Sequence, residues 1–258
     1  LAICLIAALV VGAGLTAGIL TLTGLVRWGS VPGGMDDPQK LVDTYLDRLL
    51  AGDVEGVIAL CDLPGQLERV DAENLIEGMR IIQPQMLPTH QAAAKTIYQY
   101  ITESSYAQTI SRIYASLLSP DSEIAQAVAE GRPTVPDNYS ESELDEFLRQ
   151  YAGPSLRDTR VVATEQVDIP LETRQMLIDN WHEVYGTENY LEYVYLLERD
   201  GHYFAGGLSL EYAGGAWNIR QLYASFVGIS GSGLMWLEDL DGMSTAQAIE
   251  EARSYLER

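Results

Sequence analysis

The chain has 258 residues, with 37 Asp and Glu against 16 Lys and Arg and a formal net charge of −21. An acidic body of this kind repels phosphate backbones and anionic lipid headgroups, and the sequence offers no basic patch that would rescue nucleic-acid binding. Apolar residues make up 47 % of the chain, enough to build a hydrophobic core.

Leu1 to Val26 carries no charged residue. As a helix it would span roughly 39 Å, more than the hydrocarbon core of a bilayer requires and longer than a cleavable signal usually is. The expectation is a single-pass transmembrane helix, residues 1–26, that stays in the mature protein. Gly14 and Gly18, four apart with Ala13 and Ala17 beside them, suit pairing with a second membrane helix. Arg27 and Trp28 end the span as interfacial residues, and residues 27–36 read as a linker. The acidic body that follows is expected on the extracytoplasmic side of the cell membrane. Cys4 and Cys61 then lie in different solvents and cannot pair, so Cys61 reads as a small buried hydrophobe.

Residues 37–153 read as a helical region. Asp37 and Pro38 supply an N-cap and an N1 proline. Leu41, Val42, Tyr45, Leu46, Leu49 and Leu50 form one apolar stripe, and Ala51-Gly52-Asp53 stops that helix and caps the next. Further helices are predicted over Asp71–Ile82, Thr89–Ile101, Tyr106–Leu118 and Ser122–Ala129. Ile97, Tyr98 and Ile101, then Ile110, Ile113, Tyr114 and Leu117, mark their inward stripes. Ser140 to Glu143 is a capping box for one more helix, before Leu144 and Phe147.

Residues 154–258 read as an α+β region. Arg160 to Asp168 alternates as a first strand, and Leu171 to Tyr185 is a helix with Met176, Leu177, Trp181 and Val184 inward. Three strands follow, Tyr190–Arg199, Tyr203–Tyr212 and Ala216–Ser225. They are joined by Asp200-Gly201, a type I′ hairpin signal, and by Gly214-Gly215, so an antiparallel meander is predicted. Ser244 to Gln247 caps a last helix.

The run Asp37-Pro38 through Val42, Tyr45-Leu46 and Leu49-Leu50-Ala51-Gly52-Asp53, together with Gly215-Ala216-Trp217-Asn218-Ile219 near the last strand, resembles extracytoplasmic NTF2-like domains of bacteria. The chain is also similar to membrane-anchored proteins of gut Firmicutes. The resemblance implies that the first helix packs across the concave face of the terminal sheet, with a large helical insertion between the matching ends. The alternative is two separate layers, in which the first stripe meets Ile97, Ile101, Ile113 or Leu117 instead of Leu208, Leu210, Trp217 or Ile219. The fold class expected in either case is α+β.

No catalytic set emerges. His182-Glu183 lacks the second histidine of a zinc protease, because position 186 is Gly. Gly228 to Gly233 matches neither a P-loop nor a nucleophile elbow, and Glu238 to Gly242 is too short for a calcium loop. No metal or cofactor is called for. Tyr193, Tyr195, Trp217 and Tyr223 on one face of a curved sheet are the candidate ligand-binding residues, with His182 or Glu192 as possible polar groups. Two functions stay open, an interaction module that contacts another envelope protein and an NTF2-like pocket for a small, largely apolar ligand. A hydrolase of the same pocket shape is a third, and needs an ionisable pair at the pocket floor.

Overall fold

A computed structural model describes residues 34–71, 74, 91–118, 156, 158–224 and 234–256. The expected transmembrane segment, Gly14 and Gly18 within it, the helices expected over Asp71–Ile82, Ser122–Ala129 and from Ser140, and the loop from Gly228 to Gly233 lie wholly or almost wholly outside the described residues. Among the described residues no helix is long and apolar enough to cross a membrane.

Four strands pair antiparallel in chain order: β1 (Arg160–Gln166), β2 (Asn189–Arg199), β3 (His202–Ala213) and β4 (Ala216–Gln221). A short β5 (Leu234–Trp236) pairs with the start of β3. The turn chemistry is what the sequence predicts. Asp200 and Gly201 have φ of 53° and 85°, both positive as a type I′ turn demands. Gly214 and Gly215 repeat the device at 63° and 84°.

The last strand of the meander departs from expectation. Leu210 faces Ile219 but Ser209 faces Gln221, so Arg220 is an extra residue in the ladder. This bulge ends the regular alternation of β4.

Helices cover both faces of the sheet. On one side lie α1 (Pro38–Ala51), α2 (Val54–Ala59) and α4 (Gln91–Leu118). On the other lie α5 (Leu171–Tyr185) and α6 (Thr245–Leu256). The short α3 (Leu63–Arg69) shares a small cluster with Tyr98 of α4 and Tyr185 of α5, and so ties the two layers together. Local chemistry starts and stops these helices. The Asp37 carboxylate accepts from the backbone N–H of Gln39 at 2.9 Å, and Gly52 ends α1 at φ 75°. Asp53 and Asp62 cap α2 and α3 in the same way.

The two packing alternatives merge in one core. Leu41, Val42, Tyr45, Leu46 and Leu49 share it with Leu208, Leu210, Trp217 and Ile219 of the sheet and also with Ile110, Ile113 and Leu117 of α4. Three expectations are corrected. The helices predicted over Thr89–Ile101 and Tyr106–Leu118 are one 28-residue helix, because Thr102-Glu-Ser-Ser105 contains neither Gly nor Pro to break it. Ile97 and Ile101 are exposed rather than inward, at 39 % and 51 %, since Tyr98, Thr102 and Tyr106 take the inner face. Met176 is 53 % exposed, because α5 turns Leu177 and Ile178 toward the sheet instead. Met35, at the end of the expected linker, exchanges backbone hydrogen bonds with Trp217 at 2.8 and 2.9 Å, so residues reach the β4 edge before α1 begins.

Candidate functional site

The four candidate residues do not gather into a pocket. Tyr195 is buried against Tyr45, ring centroids 5.9 Å apart and hydroxyls at 3.2 Å. Burial pushes the Tyr195 phenol up to about 12 and lifts Tyr45 well above its ordinary value. Tyr193 is also buried in the first core, its hydroxyl reaching Gln166. Trp217 stands edge-on to Tyr212, centroids 5.4 Å apart. The sheet face on which Tyr193, Tyr195 and Trp217 sit is filled by α1 and α4. Tyr223 lines an open cleft away from those three residues. The bulge at Arg220 explains the split: beyond it Leu222 enters the first core and Tyr223 leaves the face of Trp217.

The cleft lies between α4 and the bulged end of β4, with a volume of about 190 Å³. Tyr98, Ile101, Thr102, Ser105, Tyr106 and Thr109 form one wall, at the three-to-four spacing of one helix face. Arg220, Gln221, Leu222 and Tyr223 form the other.

Arg220 is the residue the local fold works hardest to hold. Only 8 % of it is exposed. Its Nη1 donates to Gln66 Oε1 and to the Tyr98 hydroxyl, both at 3.0 Å. Its guanidinium lies 3.6 Å from the Tyr185 ring centroid and 4.8 Å from that of Trp181. Glu211 Oε2 stands 3.9 Å from its Nε, too far for a hydrogen bond. Burial opposes the charge, but the oxygens of Tyr98 and Glu211 more than offset it, and the guanidinium pKa lies above its ordinary value. Arg220 is therefore a fixed cation at any biological pH.

The surrounding groups are fixed in turn. Tyr98 donates to Gln66 Oε1 at 2.9 Å, and Gln66 Nε2 donates to the Cys61 carbonyl at 2.6 Å. The Tyr106 hydroxyl donates to the Arg220 carbonyl at 3.0 Å. Glu211, wholly buried, accepts from Thr187 at 2.9 Å and stands 3.8 Å from Arg69 Nη2. Arg69 also pairs with Asp62 at 3.3 Å. Two arginines thus share Glu211.

The polar groups proposed from the sequence have other partners. The Tyr190 hydroxyl donates to buried Glu192 at 2.6 Å, and His182 Nδ1 contacts the Thr187 carbonyl at 2.9 Å. The sequence reading did not single out Arg220, Glu211 or Gln66, and it took Tyr98 only as part of an inward helix stripe. The available signal was charge inside a strand. Glu211 and Arg220 fall in segments otherwise read as packed sheet, where an ion must find a partner. A second pair also went unread: His202 Nδ1 meets Asp241 Oδ2 at 2.8 Å, and the same carboxylate accepts from Trp236 Nε1. Among the described residues no group of three or more His, Cys, Asp and Glu could hold a metal ion. The described cleft wall holds hydroxyls, an amide and a guanidinium, with no thiol, imidazole or carboxylate. These groups can donate and accept hydrogen bonds.

No family model matches the chain. No curated protein matches it either. Among solved structures the chain is similar to a cystatin-like protein from Ruminococcus gnavus ATCC 29149, at 15 % identity and a TM-score of 0.45. The match covers 85 % of this chain and 44 % of that one, so this chain spans less than half the length of its neighbour.

Proposed function

We propose that this chain is a non-catalytic interaction module, held at the cell membrane by residues 1–26 with its acidic body on the extracytoplasmic side, where it contacts another envelope protein. The observation that carries this reading is the sheet face covered by α1 and α4. An NTF2-like pocket for an apolar ligand, or a hydrolase site of that shape, would need the space that Tyr45, Leu49, Ile113 and Tyr195 fill. With that face occupied, recognition falls to the outside of the domain. Exposed Ile97, Tyr100 and Ile101 on α4 supply an apolar spot within a strongly acidic surface, suited to a protein surface rather than to an anionic lipid.

The test uses full-length protein in its native cells. A photo-crosslinking residue at Tyr100 is expected to give one discrete adduct with a membrane or cell-envelope protein, and Ile101→Glu to abolish it. The protein itself should stay in the membrane pellet through alkaline extraction, with its body open to added protease in intact cells whose wall has been removed. Recovery in the soluble fraction, or a crosslinking pattern that Ile101→Glu leaves unchanged, contradicts the reading.

A further inference from the structure

We propose that the cleft between α4 and the bulged end of β4 binds a small carboxylic acid with a short apolar body, its carboxylate held by Arg220. The inference does not depend on the envelope partner. It rests on how the arginine is spent. Nη1 is used on Gln66 and Tyr98, Nε faces Glu211 without a hydrogen bond, and Arg220 is among the residues that line the cleft.

The guanidinium is held between aromatic rings and two fixed oxygens, so little side-chain order remains to be lost on binding. Hydrogen bonds from a charged donor to a carboxylate are roughly twice as strong as neutral ones. Glu211 is shared between this cation and Arg69, which also pairs with Asp62. The net charge of −21 is spread over the whole chain, and at physiological salt charges beyond about 8 Å are largely screened.

The other lining residues set the class of acid. Gln221 Nε2 donates to the Tyr223 hydroxyl at 2.6 Å, which leaves the phenolic proton of Tyr223 free to donate to a second carboxylate oxygen. Thr102 and Ser105 add hydroxyls to the opposite wall. Ile101, Leu222 and the Tyr rings give the two walls apolar surface for a hydrocarbon body. The volume of about 190 Å³ is below the range of roughly 300–1,000 Å³ typical of drug-sized sites, so a monocarboxylate of benzoate size is the scale that fits.

The test is saturation-transfer NMR on the full chain in detergent, with empty micelles as the blank and benzoate as the probe. Saturable binding of benzoate is expected, with benzamide at least about tenfold weaker because it carries no charge. Tyr223→Phe should weaken benzoate severalfold. Ser105→Phe, at an exposed position on the cleft wall, should abolish binding and leave the melting temperature unchanged. Arg220→Met removes the charge but risks the fold, so Ser105→Phe decides the matter. No saturable signal from benzoate, equal binding of benzamide, or undiminished binding by Ser105→Phe would each overturn the proposal.

Discussion

The two sides of the sheet solve burial in opposite ways. One face is apolar almost throughout: Leu191, Tyr193, Tyr195, Leu197, Phe204, Leu208 and Leu210 meet α1 and α4 in a single core. The other face is apolar near β1, with Val194, Leu196, Tyr203 and Ala205. Toward β4 it becomes polar, with buried Glu192, Ser209, Glu211, Asn218 and Arg220. The first arrangement needs only volume and shape. The second needs each charge matched, and it leaves Arg220 at a cleft. The filled face holds the larger apolar cluster, and the other face carries the buried ions.

The largest effect should come from breaking the polar side. Glu211→Ala leaves buried Arg220 without a carboxylate, while Arg69 keeps Asp62, and removing one partner of a buried pair costs about 3–5 kcal/mol. Chemical denaturation of wild type and variant measures it. Leu49→Ala on the filled face should cost about 2–5 kcal/mol, read in the same way. Equal losses of under 1 kcal/mol at both sites would dissolve the comparison.

Alkaline titration sharpens the comparison from the filled side. Folded Tyr195 has its pKa raised to about 12 from an ordinary 10.0, and Tyr114 is raised to about 12 as well. A raised folded pKa means stability that is complete below the unfolded value and lost as pH climbs through the folded one. The melting temperature should therefore hold up to about pH 10 and fall between about pH 10 and 12. Tyr195→Phe should flatten that fall.

The smallest effect concerns what keeps the two faces distinct. A one-residue slip between β2 and β3 would exchange their side chains across the sheet. Gly201, at φ 85°, fixes that register. Gly201→Val should cost about 1–2 kcal/mol, since a side chain there opposes left-handed backbone. An unchanged melting temperature would remove the turn from the account.

Where the sequence was legible, the determinants are local. Asp37, Pro38 and Gly52 bound α1 as their side chains dictate, and Asp200-Gly201 makes the predicted hairpin. Leu171–Tyr185 matches its predicted limits for the same reason. The α+β class and the antiparallel pairing followed from these signals. What the sequence hid depends on partners far along the chain. The stripe of α1 shows that it must be covered, but not that α4 would join the sheet in covering it. Arg220 hid for a narrower reason. Strict alternation put Tyr223 on the face of Trp217, and one bulged residue undid that parity. Of the four expected ligand residues, Tyr223 lines the cleft beside α4 and not the expected sheet face.

The central claim is that α1, α4 and the sheet face they cover form one cooperative core. Native-state amide hydrogen exchange on the full chain tests it most directly. The slowest amides of α1 around Leu46 and Leu49, of α4 around Ile113, and of β2 and β3 around Tyr195 and Leu208 should share one opening free energy. Leu49→Ala should lower all of them together. If α1 and α4 instead open at a lower free energy while β2 and β3 keep their protection, and Leu49→Ala leaves the strands unaffected, the helices are a separate layer and the claim fails.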